Sequence, residues 1–181
     1  MNIIITILLA VAGIIVLLLV IALFMKKEHY VKREIIIHAP RQKVFDFLKL
    51  LKNQEQFNKW ATADKKNRKE EFKGTDGTVG FIYAWSGDKS AGQGEKEIKN
   101  IVQGKRIETE IRFVKPMRIT AYVIMETESL SEDQTKVSWS NAGTLKYPVN
   151  IMIPMMEKML PREMDSSLSA LKNILENDHN P

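Results

Sequence analysis

The side chains that could do chemistry are few in this sequence, and they are not placed together. Histidine is the commonest general acid or base in enzymes, and the chain has three: His29, His38 and His179. The first follows a long apolar run, the second lies at a predicted strand end, and the third lies in the C-terminal tail. The chain has no cysteine, which excludes disulfides, thiolate metal sites and cysteine nucleophiles.

Glutamates are the remaining candidates for acid–base chemistry. Glu95 and Glu97 follow Gly92 and Gly94, where a β-bulge could redirect a side chain into the interior. Glu97 is thus a candidate acid, although a solvated strand residue is the simpler interpretation. The other strand carboxylates fall at outward-facing positions: Glu108, Glu110, Glu126 and Glu128. No nucleophile elbow, phosphate-binding loop or His-Glu metal motif occurs, so we expect no cofactor and no metal.

Length and composition fit one folded domain with an appendage. The chain has 181 residues, of which 44% are hydrophobic and 27% charged, as in ordinary globular proteins. Its net charge of +5 comes from 27 basic and 22 acidic residues. This mild excess could favour anionic lipid headgroups. The basic run from Lys65 to Lys73 is interrupted by Glu70 and Glu71 and lacks an aromatic stacking platform, so we expect no nucleic-acid binding.

The appendage is an apolar run of 23 residues, Ile3 to Met25, without a charged side chain. As a helix it spans about 34 Å, enough to cross a hydrocarbon core of about 30 Å. A cleavable signal peptide is the alternative, but no basic n-region or small-residue cleavage site is visible. The run therefore predicts a transmembrane anchor in residues 1–27 that contacts the lipid bilayer through residues 3–25. The remaining domain covers residues 28–181.

The flanking charges predict the orientation of this anchor. Lys26, Lys27, Lys32 and Arg33 follow the run, whereas only the terminal amine precedes it. The positive-inside rule then places the C-terminal domain in the cytoplasm, at the inner membrane of a bacterium.

The domain begins with a predicted strand, Tyr30 to His38, which the Ala39-Pro40 pair ends. Two short amphipathic helices are predicted next, from Arg41 to Leu51 and from Gln54 to Trp60, followed by a polar loop from Thr62 to Glu71. About six strands then follow, and apolar–polar alternation indicates an antiparallel sheet with one solvated face. The clearest segments are Val79 to Trp85, Arg106 to Phe113, Arg118 to Glu128 and Thr135 to Lys146.

A long amphipathic helix is predicted from Pro148 to Glu176. Its apolar residues recur in steps of three and four: Met155, Met159, Leu160, Met164, Leu168, Leu171, Ile174 and Leu175. Pro154 suits the first turn, whereas Pro161 predicts a kink or short break near Leu160. A curved antiparallel sheet closed by this helix would bury every apolar face, so the predicted fold class is α+β.

With these elements in order, the chain resembles the START-type superfamily, also called SRPBCC, and specifically its polyketide cyclase/dehydrase and lipid-transport branch. The resemblance covers about Tyr30 to Asn177 and implies a helix-grip fold with an apolar cavity between sheet and helix. Members bind sterols, phospholipids, polyketides or plant hormones, and a minority are enzymes. The segments that carry the resemblance are Ile35 to Leu48, Asn58-Lys59-Trp60, Gly92 to Ile98, Gly104 to Met117, Thr135 to Gly143 and Ser167 to Glu176.

Strand parity and this resemblance together predict a ligand-binding site on the sheet face that meets the final helix. Its apolar lining would be mostly aromatic, as in small-molecule pockets, although a filled core would use the same residues. The predicted site residues are Trp60, Phe81, Tyr83, Trp85, Phe113, Trp139, Met155 and Met159.

These observations favour a membrane-anchored protein that binds an apolar small molecule without catalysis. Two alternatives remain open. An enzyme of the cyclase/dehydrase type would need an ionisable group inside the cavity, and a membrane-tethered interaction module would have a solid core and act through its outer surface.

Overall fold

The computed structural model describes residues 2–59, 68–87 and 92–177. Its helices are α1 (Ile3–Phe24), α2 (Arg41–Lys49), α3 (Leu51–Phe57) and α4 (Ile153–Asn177), with a 3₁₀ turn, Val149–Met152, before α4. Its strands are β1 (Glu28–Ile37), β2 (Lys69–Lys73), β3 (Ile82–Ser86), β4 (Gln93–Val102), β5 (Arg106–Lys115), β6 (Ile119–Ser129) and β7 (Thr135–Thr144). This order confirms the predicted α+β architecture.

The seven strands form one antiparallel sheet in the order β1-β7-β6-β5-β4-β3-β2. We call the face that meets α4 the inner face. Along β5, Ile107 and Thr109 are buried on that face, whereas Glu108 and Glu110 alternate with them on the outer face. The alternation predicted for this strand is therefore confirmed.

Helix α4 closes the inner face and supplies much of the main core. One cluster of buried residues joins it to the sheet and to α2; its members include Phe45, Leu48, Val137, Trp139, Met164, Leu168 and Leu171. Each fully buried aliphatic side chain contributes about 1.5–3 kcal/mol. The flank of α4 is fixed to β1 by the Arg33 guanidinium, which donates to both carboxylate oxygens of Asp165 at 2.7 and 2.8 Å.

Two features of α4 differ from the sequence prediction. The helix is continuous through Pro161, without the short break that was one of the two predicted outcomes there. Met155 and Met159 are 54% and 43% exposed, so their predicted place on the buried face was wrong. Successive helical residues are rotated by about 100°, and Met159 is therefore turned away from the inner face that its neighbour Leu160 contacts.

Several boundaries also differ. Helix α3 begins at Leu51 rather than Gln54, and the predicted end of that helix at Trp60 lies outside the described residues. Strand β2 occupies the end of the predicted polar loop. Strand β3 begins at Ile82, because Val79 lies in a turn beside Gly80, whose φ of 87° suits glycine.

Helix α1 is long and apolar enough to cross a membrane, with a mean hydropathy of 3.4. Its last turn is attached to the domain by the buried side chain of Asn150, which donates to the carbonyls of Ala22 and Met25 at 2.7 and 3.1 Å. The Lys26 ammonium also bonds Glu157 at 2.6 Å. These contacts place the C-terminal end of α1 beside the start of α4 and satisfy carbonyls that a helix end leaves free.

Candidate ligand-binding site

A row of aromatic rings crosses β2, β3 and β5. The Phe72 and Tyr83 ring centroids lie 5.3 Å apart, Tyr83 and Trp85 5.9 Å, and Trp85 and Phe113 5.8 Å with their planes at 78°. These spacings are typical of favourable aromatic pairs. Phe81 is buried beside this row, in a second core cluster with Leu51, Tyr83 and Ile98. Four predicted site residues, Phe81, Tyr83, Trp85 and Phe113, are therefore brought together.

The row depends on a glycine in the neighbouring strand. A Cβ atom at Gly94 would lie 2.6 and 2.8 Å from two atoms of the Trp85 ring and 2.8 Å from the carbonyl oxygen of Arg112. The absence of a side chain at Gly94 thus allows the indole to lie across β4, towards Phe113.

The other predicted site residues lie apart from this row. Trp139 is 2% exposed in the main core, where its ring meets Phe57 edge-on at 6.5 Å. Met155 and Met159 lie on the exposed side of α4, and Trp60 lies outside the described residues. Sequence analysis missed Phe72, because it follows a charged run that resembles a solvated loop.

A partly buried group of ionisable side chains lies beside the aromatic row. The hydroxyl of Tyr83 bonds the carboxylates of Glu55 at 3.0 Å and Glu70 at 3.1 Å, and the buried guanidinium of Arg68 bonds both carboxylates. Burial, followed by the charge of Glu55, raises the pKa of Tyr83. The Tyr83 hydroxyl therefore stays protonated and acts as a hydrogen-bond donor.

Lys96 is the second buried polar group in this region. Its register partner on β3 is Tyr83, and its ammonium bonds the side-chain oxygen of Gln54, whose amide donates to the Leu48 carbonyl at 2.9 Å. Burial lowers the pKa of Lys96 to about 8, because desolvation disfavours the charged form. The sequence signal was available, since strand parity places Lys96 on the same face as Gly94 and Ile98.

Glu97, the candidate general acid of the sequence analysis, lies on the outer face of the sheet. Its carboxylate accepts from the Arg112 guanidinium at 2.7 Å, and Arg112 also bonds Glu95 and Glu110. Hydrogen bonds from Arg112 and Lys99 hold the pKa of Glu97 below its usual value. Glu97 is therefore ionised at neutral pH and unsuited to act as a general acid.

The histidines that the structure describes do not join the ionisable groups of the interior. His29 is buried near the start of β1 and lies 3.0 Å from Asn141, and His38 bonds Glu176 at 2.8 Å on the surface. His179 lies outside the described residues. Within those residues, no group of three or more acidic or histidine side chains is arranged to hold a metal ion.

Two depressions lined by described residues lie away from the interface of sheet and helix. One, of about 520 Å³, is on the outer face and is lined largely by charged side chains such as Lys32, Glu126 and Lys136. The other, of about 490 Å³, lies beside the start of β1 and includes Tyr30 and Tyr122. Neither lies between α4 and the inner face of the sheet, so the cavity under α4 remains a prediction.

Comparison with known proteins identifies the fold but does not assign an individual function. No family model matches the sequence, and no curated protein matches it. Among solved structures, norcoclaurine synthase from Thalictrum flavum, determined with dopamine and hydroxybenzaldehyde, is 10% identical. It gives a TM-score of 0.63 over 85% of this chain and 89% of its own.

Two bacterial structures are similar in the same way. Protein CV1439 from Chromobacterium violaceum gives a TM-score of 0.58 at 14% identity, over 81% of this chain and 96% of its own. The Aha1 dimer from Colwellia psychrerythraea gives 0.56 at 15% identity, over 84% and 99%. Such identities establish shared architecture rather than shared chemistry. Together with the seven-stranded antiparallel sheet packed on α4, these likenesses show that the chain has the helix-grip fold of the SRPBCC, or Bet v1-like, superfamily.

Proposed function

We propose that this chain is a membrane-tethered binding protein for an apolar small molecule, lipid-like or polyketide-like, held between α4 and the inner face of the sheet. The observation that carries the proposal is the aromatic row of Phe72, Tyr83, Trp85 and Phe113 beside a few buried polar groups. Small-molecule sites combine such apolar walls with isolated polar groups that orient the ligand. Burial of the ligand would contribute about 25 cal/mol per Å² of apolar surface.

The predicted site residues would take different places around this ligand. Phe81, Tyr83, Trp85 and Phe113 would form one wall, and Trp139 would lie deeper, towards the main core. The exposed side chains of Met155 and Met159 are turned away from the inner face, and we do not place them in this site. Trp60 is proposed as a further wall residue on the basis of sequence alone.

Helix α1 is proposed to hold the domain at the cytoplasmic face of a bacterial inner membrane. Its length and mean hydropathy support a membrane span, and the lysines that follow it support this orientation. A tether would keep the binding domain close to the layer in which apolar molecules dissolve.

Ligand uptake tests the proposal directly. Full-length protein in detergent, stripped of bound lipid, is mixed with a fluorescent fatty acid or sterol probe, and probe emission is titrated. We expect saturable uptake that Trp85→Ala weakens. The matched control is Tyr122→Ala, which removes an aromatic ring that is 53% exposed and lines the depression beside the start of β1 instead. Failure of every apolar probe to bind the folded wild-type protein would reject the binding function.

A second candidate is an enzyme of the cyclase/dehydrase type. Buried Lys96, with its pKa lowered to about 8, favours it, because an amine that loses its proton near neutral pH can serve as a general base. Native mass spectrometry of wild-type and Lys96→Met protein purified from cells distinguishes the two. A binding protein carries the same molecule in both forms, whereas an enzyme would carry an unconverted molecule in the variant.

A further inference from the structure

At one end of the domain, the attachment of α1 lies beside the ends of most strands. Strand register places Glu28 beside Thr144, Gly143 beside Ala121, and Ile119 beside Phe113. The first turn of α4 is bonded to the same region through Lys26 and Glu157. We call this region the α1 end; the turns between β4 and β5 and between β6 and β7 form the opposite end.

The α1 end exposes an unusual set of large apolar and aromatic side chains. Tyr30, Tyr122 and Tyr147 are 63%, 53% and 42% exposed, and Val114 and Met155 are 42% and 54% exposed. The remaining tyrosine, Tyr83, is buried. Tyrosine is enriched where proteins meet the interface between lipid and water, because its ring is apolar and its hydroxyl is polar.

The same end is strongly basic. Among the described residues, the acids at or near this end are Glu28, Glu157, Glu95 and Glu110; Glu157 is paired with Lys26, and Glu95 and Glu110 are paired with Arg112. By contrast, charges of both signs balance at the opposite end, where Arg41, Lys105, Arg106 and Lys136 lie with Glu126, Glu128, Glu132 and Asp133. The exposed basic residues of the α1 end are Lys26, Lys27, Lys115, Arg118, Lys146 and Lys158.

The attachment of α1 leaves this end little freedom to turn away from the membrane. Three residues separate Phe24 from Glu28 and span about 10 Å at full extension. The bonds from Asn150 to Ala22 and Met25 restrict the junction further.

We propose that the α1 end is a lipid-contacting face that lies on the leaflet from which α1 emerges, with its basic residues bound to anionic phospholipid headgroups. The tyrosines lie at headgroup level, and Val114 and Met155 reach the boundary of the acyl chains. This inference rests on the proposed function, because it requires that α1 spans a bilayer.

Single labels test the contact, and the absence of cysteine from the chain makes each label unique. Full-length Met155→Cys, Val114→Cys and Leu130→Cys proteins are labelled with a fluorophore and reconstituted in vesicles of phosphatidylcholine and phosphatidylglycerol. Leu130 is the matched control, since it is 45% exposed in the turn between β6 and β7. Ile14→Cys reports on α1. Far-ultraviolet circular dichroism checks that each variant is folded.

Brominated phosphatidylcholine quenches only labels in contact with lipid. We expect quenching at positions 14, 114 and 155 and little at 130. Quenching at 14 with none at 114 and 155 would overturn the contact face while leaving the anchor intact. No quenching at 14 would instead reject the membrane anchor, and the contact face with it.

Charge reversal tests the headgroup interaction separately. With the label at position 155, Lys115→Glu combined with Arg118→Glu should reduce quenching in vesicles that contain phosphatidylglycerol, whereas Lys105→Glu at the opposite end should not. Equal effects of both changes would contradict specific headgroup binding by this face.

Discussion

The two faces of strand β4 carry charged side chains in opposite circumstances. On the outer face, Glu95 and Glu97 bond Arg112 and remain partly exposed to water. On the inner face, Lys96, which lies between them in sequence, is buried and bonds the neutral amide of Gln54. Partly exposed ion pairs contribute little because water and salt screen them, whereas a desolvated ammonium carries a large penalty. Adjacent residues thus have different energetic roles because the sheet separates them.

The largest effect in this comparison should come from the apolar neighbour of Lys96. Ile98 is fully buried on the inner face, so Ile98→Ala should lower the free energy of unfolding by about 2–5 kcal/mol through lost burial and a residual cavity. Urea denaturation measures this loss. The matched change on the exposed side is Lys99→Ala, and a comparable loss there would contradict the distinction between the faces.

Lys96 should give stability a specific dependence on pH. Burial lowers the pKa of Lys96 from 10.5 to about 8, so between these values the unfolded chain binds more protons than the folded protein. The free energy of unfolding should therefore rise as pH increases through this window, by about 3 kcal/mol at most. Lys96→Met should be more stable than wild type below pH 8 and should lose this rise, whereas Lys99→Met should keep it. Parallel pH profiles for wild type and Lys96→Met would refute the prediction.

A methyl group at Gly94 should disturb the inner face without changing charge. Gly94→Ala places its Cβ atom within 2.8 Å of both the Trp85 ring and a backbone oxygen, so the ring or the strand must move. We expect a loss of about 1–3 kcal/mol, measured by thermal unfolding, together with a change in Trp85 fluorescence. Gly94→Ala should cost less stability in a Trp85→Ala background than in the wild-type protein, because the clash with the indole is then absent. Equal costs in the two backgrounds would show that the contact between Gly94 and Trp85 is unimportant.

The smallest effect is expected on the outer face. Hydrogen bonds from Arg112 and Lys99 lower the pKa of Glu97, so its contribution is present above the ordinary pKa of 4.5 and is lost as the pH falls through the lowered pKa of the folded state. Glu97→Gln should cost less than about 1 kcal/mol at neutral pH, and added salt should reduce the difference. A cost that salt does not change would indicate that Glu97 has a role beyond this ion pair.

Sequence reasoning predicted the architecture well because hydrophobic periodicity follows directly from burial. The alternation in β5 and the steps of three and four along α4 correspond to buried faces in the structure. The same rule failed at Met155 and Met159, which lie to one side of the buried stripe that runs from Ile153 to Leu175. An apolar residue in an amphipathic helix can also lie towards a membrane or a partner, and periodicity does not distinguish these environments.

The candidate site was less predictable for a different reason. The aromatic residues of β3 could be assigned to one face from parity, but the ion pairs formed by Glu55, Arg68 and Glu70 join helix α3 to the edge strand β2, and hydrophobic periodicity does not predict such a contact. Residue type also misled, because Lys96 and Phe72 occur in charged stretches that resemble solvated surface. Their environment depends on strand pairing, which single-sequence patterns leave open.

The side chain of Asn150 bears on any attempt to study the domain as a soluble fragment. Both of its acceptors, the carbonyls of Ala22 and Met25, belong to the segment that solubilisation would remove. A buried amide deprived of its partners costs about 1–3 kcal/mol. The excised fragment would therefore melt at a lower temperature than the intact chain, and Asn150→Leu is the first substitution to consider for stabilising it.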